Sequence, residues 1–238
     1  MTAKRTLTAA ILALVASCAL AAEPEQAMKE PTAEEQADMA ALSASADRLR
    51  AHDPAGAISS VEPILQRYDA LRAKDAQQRF YSARSTMETI FYLAQAATAK
   101  QSAVAYGPTL AGAYYQKGFA LTEAGKVAEA RAVFLKGLEV APMNSAMLSE
   151  LAYTYQQERN WPKMLELFKQ AEQASEFSPE SEKTREKGRA LRGQGFALIE
   201  LKRLDEAEQV FKACLAMDPN DDKAKNELTY IAGLRRQS

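Results

Sequence analysis

The sequence is poor in the residues that most often build catalytic and metal centres. Its 238 residues include a single histidine, His52, and two cysteines, Cys18 and Cys214. A zinc cage needs several histidine or cysteine ligands, so the sequence excludes that class of site. A Ser-His-Asp arrangement would depend on His52, which stands beside a loop-like Asp-Pro pair and away from any nucleophile motif.

Phosphate-binding glycine loops and an excess of positive charge are missing as well. Neither a Walker-type nor a dinucleotide-binding pattern occurs among the 10 glycines. The 30 lysines and arginines are balanced by 31 acidic residues, which predicts that the protein does not bind nucleic acid. Acidic pairs such as Glu34-Glu35 lie in polar surroundings typical of solvated side chains. We therefore predict no catalytic residues, no metal and no cofactor.

Long hydrophobic runs are also missing, since a membrane-spanning helix needs about 18 or more successive apolar residues. A shorter apolar run occurs at 7–17, after Lys4 and Arg5 and before a small-x-small sequence at 19–21. This order is typical of a secretory signal peptide, which we assign to residues 1–21. It predicts an exported protein of the periplasm.

A second interpretation applies to the same segment. Residues 15–18, Val-Ala-Ser-Cys, resemble the lipobox of bacterial lipoproteins. In that case cleavage precedes Cys18, its thiol carries lipid, and Ala19 favours anchoring at the outer membrane by that family's sorting logic. Lipid at Cys18 would then be the protein's contact with the membrane. Both interpretations stay open.

The scarcity of glycine and proline, with 10 and 9 residues, favours helix over strand. Helical periodicity runs from about residue 36 to the end, without a convincing strand, and residues 79–99 predict one long helix. Residues 22–35, rich in Glu, Ala and Pro, predict a flexible tether. Residues 36–110 predict degenerate helical repeats or an N-terminal cap, with a separate small helical bundle as the alternative.

A sequence pattern recurs in the second half of the chain. Gly-Phe-Ala-Leu at 118–121 returns at 195–198, and each copy continues through a basic turn and a Val-Phe pair to a proline with asparagine close behind. A weaker copy lies between them. The pattern resembles the tetratricopeptide repeat, a helix–turn–helix unit of about 34 residues. The copies align as 111–144, 145–178 and 188–221.

The resemblance assigns residues to the packing positions of that family. The small residue at the helix crossing is Gly118, Ala152 and Gly195, and the aromatic residue of the second helix is Phe134, Phe168 and Phe211. Lys117 and Gln194 depart from the family pattern, which has leucine there. The resemblance implies an all-α fold, an α-solenoid of antiparallel helix pairs, and residues 222–238 predict a helix that caps its C-terminal end.

Repeats of this family line a concave groove with their first helices. The resemblance places an aromatic residue at one position of each layer, and arginines add positive charge toward the C-terminal end. The predicted partner-binding residues are Tyr115, Phe119, Tyr153, Arg189, Arg192, Phe196 and Tyr230. They predict a peptide channel with aromatic anchors and an arginine for an acidic group. The alternative is that these rings pack against adjacent helices or the N-terminal region.

These features predict a non-enzymatic interaction or scaffold protein of the bacterial cell envelope, with a protein or peptide partner. One alternative is a lipid-anchored assembly or immunity-type lipoprotein that uses another surface. A further alternative is an envelope enzyme that works with carboxylates and tyrosines alone.

Overall fold

A computed structural model of the protein describes residues 32–237. The predicted signal peptide, the lipobox with Cys18 and most of the predicted tether lie outside these residues. The chain forms two units, residues 1–35 and 36–238. In the first, the carboxylate of Glu35 accepts hydrogen bonds from the backbone and hydroxyl of Thr32, and the Thr32 hydroxyl accepts from the Glu35 backbone at 3.2 Å. This capping box begins a helix at Ala33, inside the predicted tether.

Ten helices and two short strands make up the described part of the chain. In chain order they are α1 Ala33–Arg50, α2 Pro54–Lys74, β1 Arg79–Ser82, α3 Thr86–Thr98, β2 Ala103–Tyr106, α4 Thr109–Glu123, α5 Val127–Val140, α6 Ser145–Tyr153, α7 Trp161–Ser175, α8 Glu180–Glu200, α9 Leu204–Met217 and α10 Asp222–Gln237. None of the helices in these residues is long and apolar enough to cross a membrane.

Three consecutive helix pairs, α4 with α5, α6 with α7 and α8 with α9, pack as an α-solenoid, and α10 packs on the last pair. Glycines let paired helices approach closely. A Cβ atom on Gly118 would lie 2.3 Å from the Phe134 ring, and one on Gly195 would lie 2.4 Å from the Phe211 ring. Only glycine fits at such distances. The stack of helix pairs confirms the predicted α-solenoid fold.

The pair α1 and α2 precedes this stack. Arg67 of α2 is hydrogen-bonded to the nearly buried Asp38 of α1. Val61 and Ile64 of α2 are 0% and 1% exposed and belong to the same core as α4. Helices α2 and α4 therefore pack directly against each other, although residues 75–108 separate them in sequence.

Residues 75–108 form an inserted segment, which we call the strap. Strand β1 pairs in parallel with β2, from Arg79 opposite Ala103 to Ser82 opposite Tyr106, and α3 connects them. The prediction of one long helix over 79–99 and of no strand is therefore wrong. Ser85 is the reason for the late helix start, because its hydroxyl accepts the Glu88 N–H at 3.0 Å and caps α3 there.

The start of α8 lies before the third repeat copy. Pro179 occupies the capping position of this helix, and the neighbouring Ser178 hydroxyl donates to Glu186 at 2.6 Å. Helix α8 therefore begins about two turns before Gly188, where the third copy starts.

Candidate partner-binding groove

The first helices of successive pairs border two adjoining cavities. Cavity A, of about 780 Å³, lies beside the α6–α7 turn and is lined by Glu150, Trp161 and Glu200 among others. Cavity B, of about 680 Å³, lies between α8 and α10. Tyr153 and Gln156 line both, so the two cavities adjoin at these side chains, and we call the two together the groove.

Cavity B brings together four of the seven predicted binding residues: Tyr153, Arg189, Arg192 and Phe196. The other three lie elsewhere. Tyr115 and Phe119 stack on each other on α4, with ring centroids 6.3 Å apart, and line neither cavity. Tyr230 is 54% exposed on α10 and lines neither cavity.

Arg189 is held by a buried carboxylate at the base of the groove. Its Nη2 donates to Glu150 Oε1 at 2.6 Å, and the Tyr115 hydroxyl donates to the same oxygen at 3.2 Å. Burial is the largest single influence on Arg189 and opposes its charge. The charge and hydrogen bond of Glu150, with smaller effects of Tyr115 and Tyr153, together outweigh burial and raise the pKa of Arg189 above its usual value. Burial, followed by the charge of Glu150, raises the pKa of Tyr115. Arg189, Glu150 and Tyr115 therefore form one hydrogen-bonded cluster. The positive charge that Arg189 brings to the groove is already paired with Glu150.

Arg192 is paired as well. Its Nη1 donates to Asp221 Oδ2 at 2.6 Å, while Asp221 Oδ1 accepts the Ala224 N–H at 3.1 Å and caps α10. Burial acts to raise the pKa of Asp221, yet the Ala224 hydrogen bond and Arg192 together hold it below its usual value. Arg192 thus fastens α10 to α8.

The aromatic residues of the groove pack on neighbouring helices and also line the cavities. Tyr153 meets Phe168 edge-on with centroids 5.0 Å apart, and the Arg189 guanidinium lies 5.3 Å from the Tyr153 ring. Phe196 meets Trp161 edge-on at 5.8 Å. One side of each ring therefore packs on a neighbouring helix. The other side lines the groove, and the partner-binding prediction concerns that side.

Sequence reasoning missed two cations that line cavity B. Lys223 is exposed at the start of α10, and its ammonium group forms no ion pair with any residue that the structure describes. Arg185 is exposed and pairs with Glu182 one turn away on the same helix. The signal for Lys223 was present, because it follows Arg189 by one repeat length, 34 residues.

The departures from the family pattern have partners. Gln194 is 3% exposed and its amide donates to Glu172 at 2.6 Å, so it joins α8 to α7 through a buried hydrogen bond. Lys117 donates to Glu62 at 2.7 Å and joins α4 to α2. Both polar side chains thus link neighbouring pairs where leucine would do so by apolar contact.

These helix pairs are those of a tetratricopeptide-type α-solenoid, and comparison with known proteins agrees. Two segments, 111–144 and 193–221, match the tetratricopeptide repeat family model. The first coincides with the predicted first copy, and the second lies within the predicted third copy. A search of curated protein sequences found no match.

Among solved structures, MamA from Desulfovibrio magneticus RS-1, from residue 41 to its end, shares the fold. The similarity has a TM-score of 0.54 at 14% identity and covers 84% of this chain and 86% of that one. The first tetratricopeptide domain of Spaghetti (RPAP3), bound to an HSP90 peptide, has a TM-score of 0.47 at 24% identity over 53% of this chain and 93% of that one. The second such domain of human RPAP3, in complex with an HSP70 peptide, has a TM-score of 0.45 at 21% identity over 52% and 95%.

Proposed function

We propose that the protein is a non-enzymatic binding module that holds a peptide or a segment of a protein partner in the groove. The observation that carries this proposal is that cavity B holds two aromatic side chains, Tyr153 and Phe196, beside the ammonium group of Lys223, which forms no ion pair within the described part of the chain. Cavities of some hundreds of cubic ångströms with an apolar wall and a few polar groups are typical of binding sites.

The ligand chemistry follows from which charges are already satisfied. Arg189 and Arg192 already form ion pairs with Glu150 and Asp221, so they offer little free charge to a ligand. Lys223 places at the rim an ammonium group that has no ion-pair partner among residues 32–237. A segment with an apolar or aromatic side chain for Phe196 and an acidic group for Lys223 fits this arrangement.

Selection from a phage-displayed library of random peptides tests the proposal. We expect wild-type protein to enrich peptides that pair an apolar residue with an acidic one. Phe196→Ala should weaken binding of the selected peptides about tenfold or more, and Lys223→Glu should remove the preference for acidic residues.

Tyr230→Ala is the matched control, because Tyr230 is an aromatic residue of the capping helix α10 and lines neither cavity. The proposal fails if wild type enriches no peptide, or if Phe196→Ala and Tyr230→Ala bind the selected peptides equally well.

A location in the bacterial cell envelope is part of the proposal, supported by the predicted signal peptide at 1–21. Mass spectrometry of the mature N-terminus decides its form. A first residue of Ala22 would indicate a soluble periplasmic protein, and an acylated Cys18 an outer-membrane lipoprotein. An intact N-terminus would contradict export.

A second candidate function, an assembly role through another surface, is favoured by the outer face of α3. Met87, Ile90 and Leu93 are 56%, 58% and 38% exposed there, one turn apart along the helix. Exposed apolar stripes of this kind often mark protein contacts. Affinity purification with Ile90→Glu against Phe196→Ala separates the two functions, because each variant should lose only the partner of its own surface.

A further inference from the structure

The strap contacts the first helices of the three pairs, α4, α6 and α8, at or just before their starts. At α4, the Ser82 hydroxyl donates to the Gly107 carbonyl at 2.8 Å and accepts the Ala111 N–H at 3.0 Å. Before α6, the Tyr92 hydroxyl accepts the Met143 N–H at 3.1 Å. These contacts fix two successive helix starts to one β-α-β segment.

The third point of contact lies before α8 and is the most extensive. The Ser85 hydroxyl donates to the Phe177 carbonyl at 2.6 Å, and the Phe91 and Phe177 rings lie 4.8 Å apart. Arg84 then reaches α8 itself, since its Nη1 donates to Glu186 Oε1 at 2.8 Å and its Nη2 lies 3.3 Å from the Ser178 hydroxyl.

Arg84 is held in place from the strap side too. Its Nη2 donates to Glu88 Oε1 at 2.8 Å, and its backbone N–H donates to Glu88 Oε2 at 2.6 Å. The side chains of Arg84, Glu88 and Glu186 are 14%, 0% and 3% exposed. One guanidinium therefore joins a carboxylate of α3 to a carboxylate of α8 with almost no competition from water.

We propose that the strap is a spacer that fixes the distances between the starts of the groove-lining helices, with Arg84 as the residue that positions α8. Glu186 lies one turn before Arg189 on α8, and the same helix carries Phe196. A shift at Glu186 therefore moves the wall of cavity B relative to Tyr153 on α6. The strap sets the width of the groove from outside it, without contributing a residue to cavity A or cavity B.

Hydrogen exchange of the full chain, read by mass spectrometry, tests the spacer directly. In Arg84→Met we expect the amides of 180–190 to exchange at least about tenfold faster, because the ties from the strap to the start of α8 are lost. Arg84→Lys keeps the charge and one donor direction and should restore part of the protection.

Arg131→Met is the matched control. Arg131 also bridges neighbouring repeats, since it donates to the Thr154 carbonyl at 2.7 Å and to Glu158 at 2.8 Å, but it does not touch α8. Exchange at 180–190 that stays unchanged in Arg84→Met, or that rises equally in Arg131→Met or across all helices, would overturn the proposal.

A measurement of peptide binding tests the effect of the strap on the groove, and it rests on the function proposed above. Peptides selected on the wild type should bind Arg84→Met at least about fivefold more weakly, and Arg131→Met with little change. Unchanged binding despite faster exchange at α8 would overturn the role in groove width. A wild type that selects no peptide would reject the proposed function, while the exchange result would still decide whether the strap holds α8.

Discussion

Within the helix pairs a glycine faces an aromatic ring, as Gly118 faces Phe134, whereas the strap is fastened by a guanidinium between two buried carboxylates. The first kind of contact is apolar and recurs in the third pair, where Gly195 faces Phe211. The second is polar and directional. Apolar stacking supplies most of the stability but depends only weakly on angle. Charge-assisted hydrogen bonds depend strongly on geometry, so the strap is suited to fix a spacing that stacking alone leaves adjustable.

The largest loss of stability should come from disrupting the apolar contacts within a helix pair. Phe134 is fully buried, and Phe134→Ala should lower the free energy of unfolding by about 3–5 kcal/mol through lost burial and a cavity. Urea denaturation measures it. Leu135→Ala, next in sequence but 49% exposed, should cost far less, and equal losses would contradict the assignment of this core.

The buried pair beneath the groove should rank next. Arg189→Met leaves Glu150 buried with only Tyr115 as donor, and we expect a loss of about 2–4 kcal/mol in unfolding free energy. The double variant Arg189→Met with Glu150→Leu should recover most of it, because no unpaired charge remains. A double variant as unstable as the single one would show that the pair itself, rather than the orphaned carboxylate, dominates.

A smaller effect is expected in the pH dependence of stability, through Glu88 of the strap. Burial raises the pKa of Glu88 against the opposing charge of Arg84. Because the folded-state pKa lies above the unfolded one, the stability that Glu88 contributes is fully present below its unfolded pKa and is lost as pH rises through the folded pKa. The stability of wild type relative to Glu88→Gln should therefore fall as pH rises above the unfolded glutamate pKa of about 4.3. Denaturation at a series of pH values measures this difference, and a gap that stays level or grows in favour of wild type would count against it.

The smallest effect is expected at Tyr230. Its side chain is 54% exposed, and Tyr230→Ala should change unfolding free energy by no more than about 0.5 kcal/mol. Thermal unfolding of the variant checks this. A large loss would mean that the α10 ring packs more tightly than its exposure indicates.

The parts of the fold that the sequence predicted are those with a repeated local pattern. Gly118 with Phe134 and Gly195 with Phe211 recur at equivalent positions, so the pattern identifies the helix pairs without knowledge of the rest of the chain. Strands β1 and β2 have four residues each and pair across the intervening α3. So short a strand has too few residues to display alternation, and the apolar content of α3 dominates the local pattern.

The groove was predicted only in part, because the repeat pattern is local in sequence. Repeat spacing assigned Tyr153 and Phe196 to one groove, and in the structure both residues line cavity B. It could not show that Arg189 is paired with Glu150, 39 residues away, because that depends on the angle and register between α6 and α8. Lys223 was overlooked because only the aromatic position of the repeats was carried into the capping helix, at Tyr230.

The bond between Arg84 and Glu186 joins residues 102 positions apart, whereas contacts between neighbouring repeat helices, such as that of Ser145 with Ala171, span 26. Local contacts form rapidly and distant ones must await closure of a long loop. We therefore expect the helix pairs to stack from neighbour to neighbour and the strap to close onto α8 as a late folding step. During synthesis the strap emerges well before its partner helix, so its polar groups remain hydrated until the last layers of the stack have assembled.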